Sequence, residues 1–311
     1  MSRLIVQAAQ RLEQLRQAGV VVAEKAGDPE GSAWAAGAPA GGATGSAAEP
    51  PLIQPSRKRS QTIELDLEGL GVVNVVTPMS PRSHVADQFR VIKRPLISNA
   101  MGGGAATVAH ANLIMVTSAI AGEGKSFTSI NLAMSIAAEL DSSVMLVDAD
   151  VARPSLPRML GLPNGPGLLD LLDGSADMSD VLLKTNVDKL TILRSGTPHG
   201  RATEMLASEA MRQLLDDMAN RYADRIIIFD SPPLLLTTES RVLAANMGQI
   251  VVVVQAGRTL QSDVEQALAT IEACPLKLLL LNQARTDSQG AYGYGYGYGH
   301  GYGYGREEPA A

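Results

Sequence analysis

A glycine-rich stretch that ends in a lysine and a serine lies near the middle of this 311-residue chain, where residues 119–126 read Ala-Ile-Ala-Gly-Glu-Gly-Lys-Ser. Glycines allow backbone N–H groups to converge on one point, and the N-terminus of a following helix adds partial positive charge there. Lys125 would reach the β- and γ-phosphates of a nucleotide, and the Ser126 hydroxyl would ligate Mg²⁺. A simple glycine turn is the alternative, which the Lys-Ser pair disfavours.

Three carboxylates follow two apolar segments that are typical of buried strands. Asp148 and Asp150 come at the end of one segment, and Asp230 ends the other, before Ser-Pro-Pro. Mg²⁺ takes hard oxygen ligands, and a phosphoryl acceptor needs a base and a fixed orientation. A single Asp at such a position often caps a helix instead. Three of them together with a phosphate loop predict a metal and proton-transfer site.

Alternating strands and helices must position these residues. Predicted strands lie at 113–117, 144–148, 190–194, 225–230, 249–254 and 277–281, and predicted helices include 124–140, 208–221 and 260–273. Several strands are continuous apolar runs, which indicates a parallel sheet covered by helices on both faces. With right-handed crossovers this is a doubly wound α/β domain, and its ligand should lie at the carboxyl ends of the strands.

The segments around this domain differ in composition. We expect an amphipathic helix in residues 1–26 and a flexible linker, rich in Ala, Gly and Pro, in residues 27–60. Residues 61–106 are expected to form a lead-in, with a possible strand at 61–67 and a helix at 82–98. The main domain covers 107–285. In the tail, 286–311, six of the seven tyrosines lie between Tyr292 and Tyr304 among glycines, so we expect this segment to be mobile.

Composition excludes several classes of function. The net charge of −6 argues against a general nucleic-acid binder, and a single cysteine, Cys274, excludes an internal disulfide framework. No apolar run approaches the roughly 18–20 residues of a membrane span, and the N-terminus lacks a signal peptide. We therefore expect a cytoplasmic protein whose contact with a membrane comes through a partner or a surface helix.

These motifs together resemble the bacterial P-loop tyrosine kinases (BY-kinases), and within them the exosortase-associated (XrtA-associated) tyrosine autokinases of exopolysaccharide systems. The resemblance covers about residues 85–285 and the tail. It is carried by the 122–126 loop (Walker A), by Asp148-Ala149-Asp150 with Arg153-Pro154 (Walker A′), and by the 230–233 segment Asp-Ser-Pro-Pro (Walker B). Segments 89–95 and 202–208 are similar to the exosortase-linked branch.

The resemblance implies the roles of individual residues. The catalytic residues would be Lys125, Asp148, Asp150 and Asp230, with Asp148 or Asp150 taking the tyrosine proton and Asp148 the better candidate. Ser126 and Asp150 would hold Mg²⁺, and Asp230 would act on it through water. Nucleotide contacts would come from Ala121, Gly122, Glu123, Gly124, Lys125, Ser126, Phe127, Arg153 and Asn282. The phosphorylated residues would be Tyr292, Tyr294, Tyr296, Tyr298, Tyr302 and Tyr304.

The resemblance also implies partners. Asp87, Arg90 and Lys93 resemble a Glu-x-x-Arg-x-x-Arg oligomerisation motif, with Asp for Glu and Lys for the second Arg, which implies a ring-shaped homo-oligomer. A membrane chain-length-determinant (Wzz-like) protein would recruit the kinase to the inner membrane. The kinase would use ATP to phosphorylate the tail tyrosines in trans. This phosphorylation would regulate exopolysaccharide polymerisation and export.

Two other functions compete with this one. A partition- or positioning-type (MinD/ParA-like) ATPase switch carries an extra lysine early in the loop, where this chain has Ile120, and has no reason to carry a tyrosine repeat. A non-catalytic adaptor would bind nucleotide only to control assembly. Labelling with ATP and detection of phosphotyrosine separates the kinase from both.

Overall fold

The computed structural model describes residues 61–78, 83–104, 108–221 and 224–284. The predicted N-terminal helix, the 27–60 linker and all six tail tyrosines lie outside these residues. No helix in the described part of the chain is both long and apolar enough to cross a membrane.

A single sheet of eight strands forms the centre of the described structure. Its strands, in chain order, are β1 (Gln61–Ile63), β2 (Leu113–Ser118), β3 (Ser143–Asp148), β4 (Leu182–Thr185), β5 (Leu190–Leu193), β6 (Arg225–Asp230), β7 (Gln249–Gln255) and β8 (Leu276–Asn282). They lie in the order β1-β4-β5-β3-β6-β2-β7-β8. All neighbours are parallel except β4 and β5. The predicted mostly parallel sheet is confirmed.

Ten helices of the described chain cover the two faces of this sheet. They are α1 (Leu67–Val72), α2 (His84–Ala100), α3 (Lys125–Ala137), α4 (Leu156–Leu160), α5 (Leu168–Leu172), α6 (Met178–Val181), α7 (Ala202–Leu206), α8 (Glu209–Arg221), α9 (Glu239–Ala244) and α10 (Gln261–Ala269). In β6, Ile227 and Phe229 enter one apolar core, while Ile226 and Ile228 enter the other. Because both faces are buried, the strand can be apolar throughout.

Two details of the sheet differ from the sequence prediction. The strand predicted at 61–67 is only Gln61–Ile63, because Asp66 caps α1 by accepting a hydrogen bond from the Gly69 N–H at 3.0 Å. Strand β4 was not predicted. It is short, and it pairs antiparallel with β5, so it lacks the long apolar run that identifies the central strands.

Helix α2 packs against α3, and of the three residues in the predicted oligomerisation series the structure buries Lys93. Lys93 is 4% exposed, and its ammonium lies 2.7 Å from the Glu139 carboxylate. Each residue turns a helix by about 100°, so Lys93 lies about 120° around the helix from Asp87. Asp87 and Arg90 form an ion pair on the exposed face, where Arg94 is also exposed.

We predict that Glu139→Gln lowers the free energy of unfolding by about 1–2 kcal/mol near neutral pH, because the buried Lys93 loses its counter-charge. The hydrogen bond from Lys93 lowers the pKa of Glu139. A lowered carboxyl pKa stabilises the fold above the ordinary pKa, and this stabilisation is lost as the pH falls through the lowered value. Urea unfolding near neutral pH and in acid measures both effects.

The matched control for this prediction is Glu209→Gln. The Glu209 carboxylate pairs with Arg212 on the surface, where both side chains are exposed. Removing such a pair should cost less than about 0.5 kcal/mol. Equal losses from the two substitutions would show that the Lys93 pair contributes no more than a surface contact.

Candidate active site

The phosphate loop connects β2 to α3 in the conformation that its glycines permit. Gly122 and Gly124 have φ values of 89° and 97°, in the left-handed region, and α3 begins at Lys125. The backbone N–H groups before the helix are therefore available to an anion at its N-terminus. This agrees with the strand-loop-helix context predicted for residues 113–140.

A buried carboxylate fastens this loop to the neighbouring strand. Glu123 is 0% exposed. Its carboxylate accepts hydrogen bonds from the Ile120 N–H at 2.8 Å and from the Thr259 hydroxyl just after β7. The predicted nucleotide contact of Glu123 can therefore involve only its backbone. Its carbonyl accepts a hydrogen bond from Asn282 Nδ2 at 2.9 Å.

The loop lysine forms an ion pair with a Walker A′ carboxylate. Lys125 Nζ lies 2.9 Å from Asp150 Oδ2, and the two side chains are 14% and 8% exposed. Lys125 Nζ also lies 3.5 Å from Ser126 Oγ. The structure therefore brings together three of the residues predicted to act on phosphate and metal.

The Walker B carboxylate lies beneath the start of α3, among serine hydroxyls. Asp230 is fully buried and accepts hydrogen bonds from Ser129 at 3.0 Å and from Ser155 at 3.2 Å. Ser155 also lies 2.7 Å from the Ser126 hydroxyl. Burial raises the pKa of Asp230, although the nearby Lys125 charge and the hydroxyls of Ser126 and Ser129 oppose the rise.

Sequence analysis did not find Ser129 and Ser155. Ser129 follows Ser126 by three residues, so it lies on the same face of α3, and this spacing was the available signal. Ser155 follows the Walker A′ segment in a loop, and only the folded chain places it beside Asp230.

Asp148 lies directly beside Asp230, because the two residues are register partners on the adjacent strands β3 and β6. It is 0% exposed. Its carboxylate accepts backbone hydrogen bonds from Leu156 at 3.2 Å and from Asp150 at 3.3 Å. Burial, together with the neighbouring Asp230 charge, raises the pKa of Asp148 to about 8. Asp148 therefore holds the loop between β3 and α4.

An open cleft of about 540 Å³ lies over these residues. Of the residues predicted to contact nucleotide or metal, those that line it are Ala121, Gly122, Lys125, Asp150 and Arg153. The remaining wall includes Pro232 and Pro233 of the Walker B segment. The cleft lies at the carboxyl ends of β2, β3 and β6, which is the position predicted for the ligand.

Phe127 points toward another part of the fold. Its ring packs edge-to-face against Phe89 of α2, with ring centres 6.5 Å apart and planes at 64°. A contact of Phe127 with nucleotide would therefore come from its backbone.

Comparison with known proteins identifies the family. A family model described as ParA, NUBPL iron-transfer P-loop NTPase, matches residues 109–281. Tyrosine-protein kinase YwqD of Bacillus subtilis (strain 168) is 30% identical over 222 residues, which cover 71% of this chain and 90% of that protein. The chain belongs to the bacterial tyrosine-protein kinase family.

Other relatives agree with this assignment. The kinase domain of Escherichia coli tyrosine kinase ETK is 29% identical, with a TM-score of 0.54 over 60% of this chain and 73% of that one. Tyrosine-protein kinase ptk of Acinetobacter johnsonii is 34% identical over 184 residues, but the chain spans only 25% of its length. The predicted P-loop NTPase fold and tyrosine-kinase family are therefore confirmed.

We predict that Gly124→Ala weakens nucleotide binding to the kinase by at least about tenfold, or about 1.4 kcal/mol. A Cβ at Gly124 would lie 2.1 Å from Asn282 Nδ2, and the φ of 97° strains any other residue. Either effect turns the loop N–H groups away from the phosphates. Titration with a fluorescent ATP analogue measures the affinity.

Gly161→Ala is the control for backbone strain. Gly161 also has a left-handed φ, 66°, but an added Cβ there meets no atom within 4 Å. This variant should bind the analogue as the unaltered kinase does. If Gly124→Ala binds equally well, the close approach of the loop to Asn282 has no role in nucleotide binding.

Proposed function

We propose that this kinase transfers the γ-phosphoryl group of ATP to the tyrosines of its own tail, in trans. The observation that carries the proposal is the contact between Lys125 and Asp150 at the wall of the loop cleft, directly over Asp148 and Asp230. This arrangement supports both phosphate binding and proton removal in one site. The six tyrosines between Tyr292 and Tyr304 supply acceptors within the same chain.

In this proposal the loop N–H groups and Lys125 bind the β- and γ-phosphates. Lys125 would exchange its contact with Asp150 for the phosphate oxygens, since both are anions that compete for the same ammonium. Arg153 is exposed at the cleft wall and would reach the nucleotide from the other side. Asn282 would act mainly by holding the loop through the Glu123 carbonyl.

A group of oxygen donors next to Lys125 fits Mg²⁺. Ser126, Ser155 and Asp230 place hydroxyl and carboxylate oxygens side by side, and such hard oxygen donors are those that Mg²⁺ selects. Within the described residues, no three His, Cys, Asp or Glu side chains gather as a metal cage. This suits Mg²⁺, which usually binds one or two carboxylates together with water and substrate phosphates. When bound, Mg²⁺ would neutralise charge on the phosphates.

The accessibility of the two Walker A′ carboxylates favours Asp150 as the proton acceptor. A general base must come within hydrogen-bond reach of the proton it removes. Asp150 lines the cleft, whereas Asp148 is fully buried and already accepts two backbone hydrogen bonds. Asp148, the candidate preferred from the sequence, would then act by positioning the 150–156 loop. Asp150 would also remain close enough to Ser126 to assist with the metal.

We predict that Asp150→Asn lowers the rate of tail phosphorylation by about 10²–10⁴-fold, as removal of a general base does, and that Asp148→Asn lowers it less. Asp148 is fully buried and its carboxylate accepts backbone hydrogen bonds, so asparagine there should disturb the 150–156 loop without removing the proton acceptor. Initial rates with ATP measure the loss, and melting temperatures confirm that both variants fold. A larger loss for Asp148→Asn would restore Asp148 as the base.

A mixing experiment tests transfer in trans. One chain carries Lys125→Met, which removes the phosphate-binding charge but keeps the tail. The other keeps its active site but has phenylalanine at all six tail tyrosines. We predict that only the mixture with ATP gives phosphotyrosine, and that mass spectrometry finds it on the tail of the Lys125→Met chain at several positions.

Each chain alone is the control for this mixture. If the Lys125→Met chain incubated by itself with ATP gains phosphotyrosine, the phosphate loop is not required for the reaction. An unlabelled mixture, with the unaltered kinase labelled, would mean that transfer occurs within one chain. Light scattering of the same samples reports whether the copies associate. Repeating it with Arg90→Ala tests whether the exposed face of α2 makes the contact. The membrane chain-length-determinant partner and the control of exopolysaccharide export stay predictions from the sequence.

A further inference from the structure

A second cleft, of about 420 Å³, lies next to the nucleotide cleft at the same edge of the sheet. Pro154 and Pro157, which follow the Walker A′ segment, form one wall. The opposite wall is the segment that follows β5, beginning at Arg194. Arg153 lines the nucleotide cleft and Pro154 lines this one, so the two clefts are neighbours.

Arg194 is the unusual residue in this cleft. It is 3% exposed, yet the structure gives it no carboxylate within ion-pair distance among the described residues. Nε donates to the Pro166 carbonyl at 3.3 Å, and Nη1 donates to the Pro163 carbonyl at 2.8 Å. Nη2 has no hydrogen-bond partner in the described chain, and the guanidinium lines the cleft.

A guanidinium that keeps one donor nitrogen free at the wall of a cleft favours an anionic ligand there. Burial lowers the pKa of Arg194, and Asp170 only partly opposes this effect. The guanidinium lies against Gly165, where a Cβ would come within 2.7 Å of both terminal nitrogens. The local backbone is therefore shaped to admit this side chain.

The rest of the cleft suits an aromatic ring. Four of the residues that line it are prolines, namely Pro154, Pro157, Pro166 and Pro198, and none of its described lining residues is acidic. Proline rings and glycine backbone give flat apolar surface, which favours burial of a phenyl ring. A guanidinium donates well to phosphate oxygens. The volume exceeds the needs of a phosphate ion alone.

We propose that this cleft binds the phosphorylated side chain of a tail tyrosine, with Arg194 donating to the phosphate and the prolines packing against the ring. This inference rests on the proposed function, because it takes its ligand from the product of tail phosphorylation. The cleft would hold a modified tyrosine beside the nucleotide site while other tyrosines of the repeat remain available for transfer.

Direct binding tests the proposal without catalysis. The protein is the full chain with Lys125→Met, which keeps its own tail unphosphorylated. The probes are a fluorescein-labelled Gly-Tyr peptide of the 291–299 sequence with one phosphotyrosine, the same peptide without phosphate, and inorganic phosphate. We expect the phosphopeptide to bind at least about tenfold more tightly than its unphosphorylated twin, through charge-assisted hydrogen bonds. Inorganic phosphate should compete only weakly, because it lacks the ring.

Two substitutions locate the binding. Arg194→Gln should weaken the binding of the phosphopeptide by about 10- to 100-fold. Asn164→Asp places a carboxylate at the exposed rim of the cleft without touching the buried side chain, and should weaken it several-fold. Arg212→Gln is the matched control, because Arg212 is an exposed arginine on α8 that lines neither cleft, and the affinity should not change.

Equal affinity for the two peptides would overturn the proposal, as would unchanged binding in both Arg194→Gln and Asn164→Asp. If the Arg194→Gln protein does not fold, the phosphopeptide affinity of Asn164→Asp alone tests the proposal. Failure of the mixing experiment with intact phosphopeptide binding would reject transfer in trans and leave the binding role of the cleft standing. If transfer succeeds but the phosphopeptide does not bind, only the proposed role of this cleft is rejected.

Discussion

Burial of three carboxylates beside one lysine is the constraint that shapes the active site. A buried carboxylate must be paired, hydrogen-bonded or protonated. The site uses all three solutions, since Asp150 pairs with Lys125, Asp230 accepts serine hydroxyls, and burial raises the pKa of Asp148 to about 8. The one ammonium of Lys125 pairs with Asp150, so Asp230 is left with hydroxyl partners and no ion pair in the described chain. A site in this condition is stabilised by additional positive charge, which is what a divalent cation supplies.

The sheet register enforces this crowding. Strand β6 lies between β3 and β2, so Asp230 is the register partner of both Asp148 and Val116. A shift of one residue would turn Asp230 to the other face and place Phe229 in the site. The register is held because alternate residues of β6 enter two separate apolar cores. Hydrophobic packing therefore fixes the distance between the acidic groups, although none of the packing residues touches the cleft.

Much of the fold and part of the site could be predicted from local signals. Continuous apolar runs revealed β2, β3, β6 and β7, because a strand buried on both faces needs no polar alternation. The phosphate loop and the strand-end carboxylates were predictable because each directly follows one of these apolar strands along the chain. Strand β4 was missed, because its four residues carry too few apolar positions to be distinguished from a loop.

The remaining features depend on contacts between distant segments. Glu123 belongs to a phosphate-loop motif, yet its carboxylate is used to join the loop to the end of β7 through Thr259. Lys93 belongs to a charged series, yet it faces α3, because a three-residue repeat drifts around a helix. Ser155 and Arg194 belong to no motif at all. Sequence spacing predicts the face of one helix, but not which segment that face will meet.

The two neighbouring clefts differ in charge, and this difference bears on the direction of the reaction. The nucleotide cleft has Asp150 in its wall and buried carboxylates beneath it, whereas the described lining of the second cleft has Arg194 and no acid. A tyrosine enters the first cleft neutral and leaves it carrying about −1.5 to −2 charges. Repulsion from the carboxylates then opposes its return, and across Pro154 lies Arg194, a buried cation that pairs with no carboxylate in the described chain. In the proposed scheme the charge created by the transfer itself moves the product from one cleft to the other and clears the site for the next tyrosine.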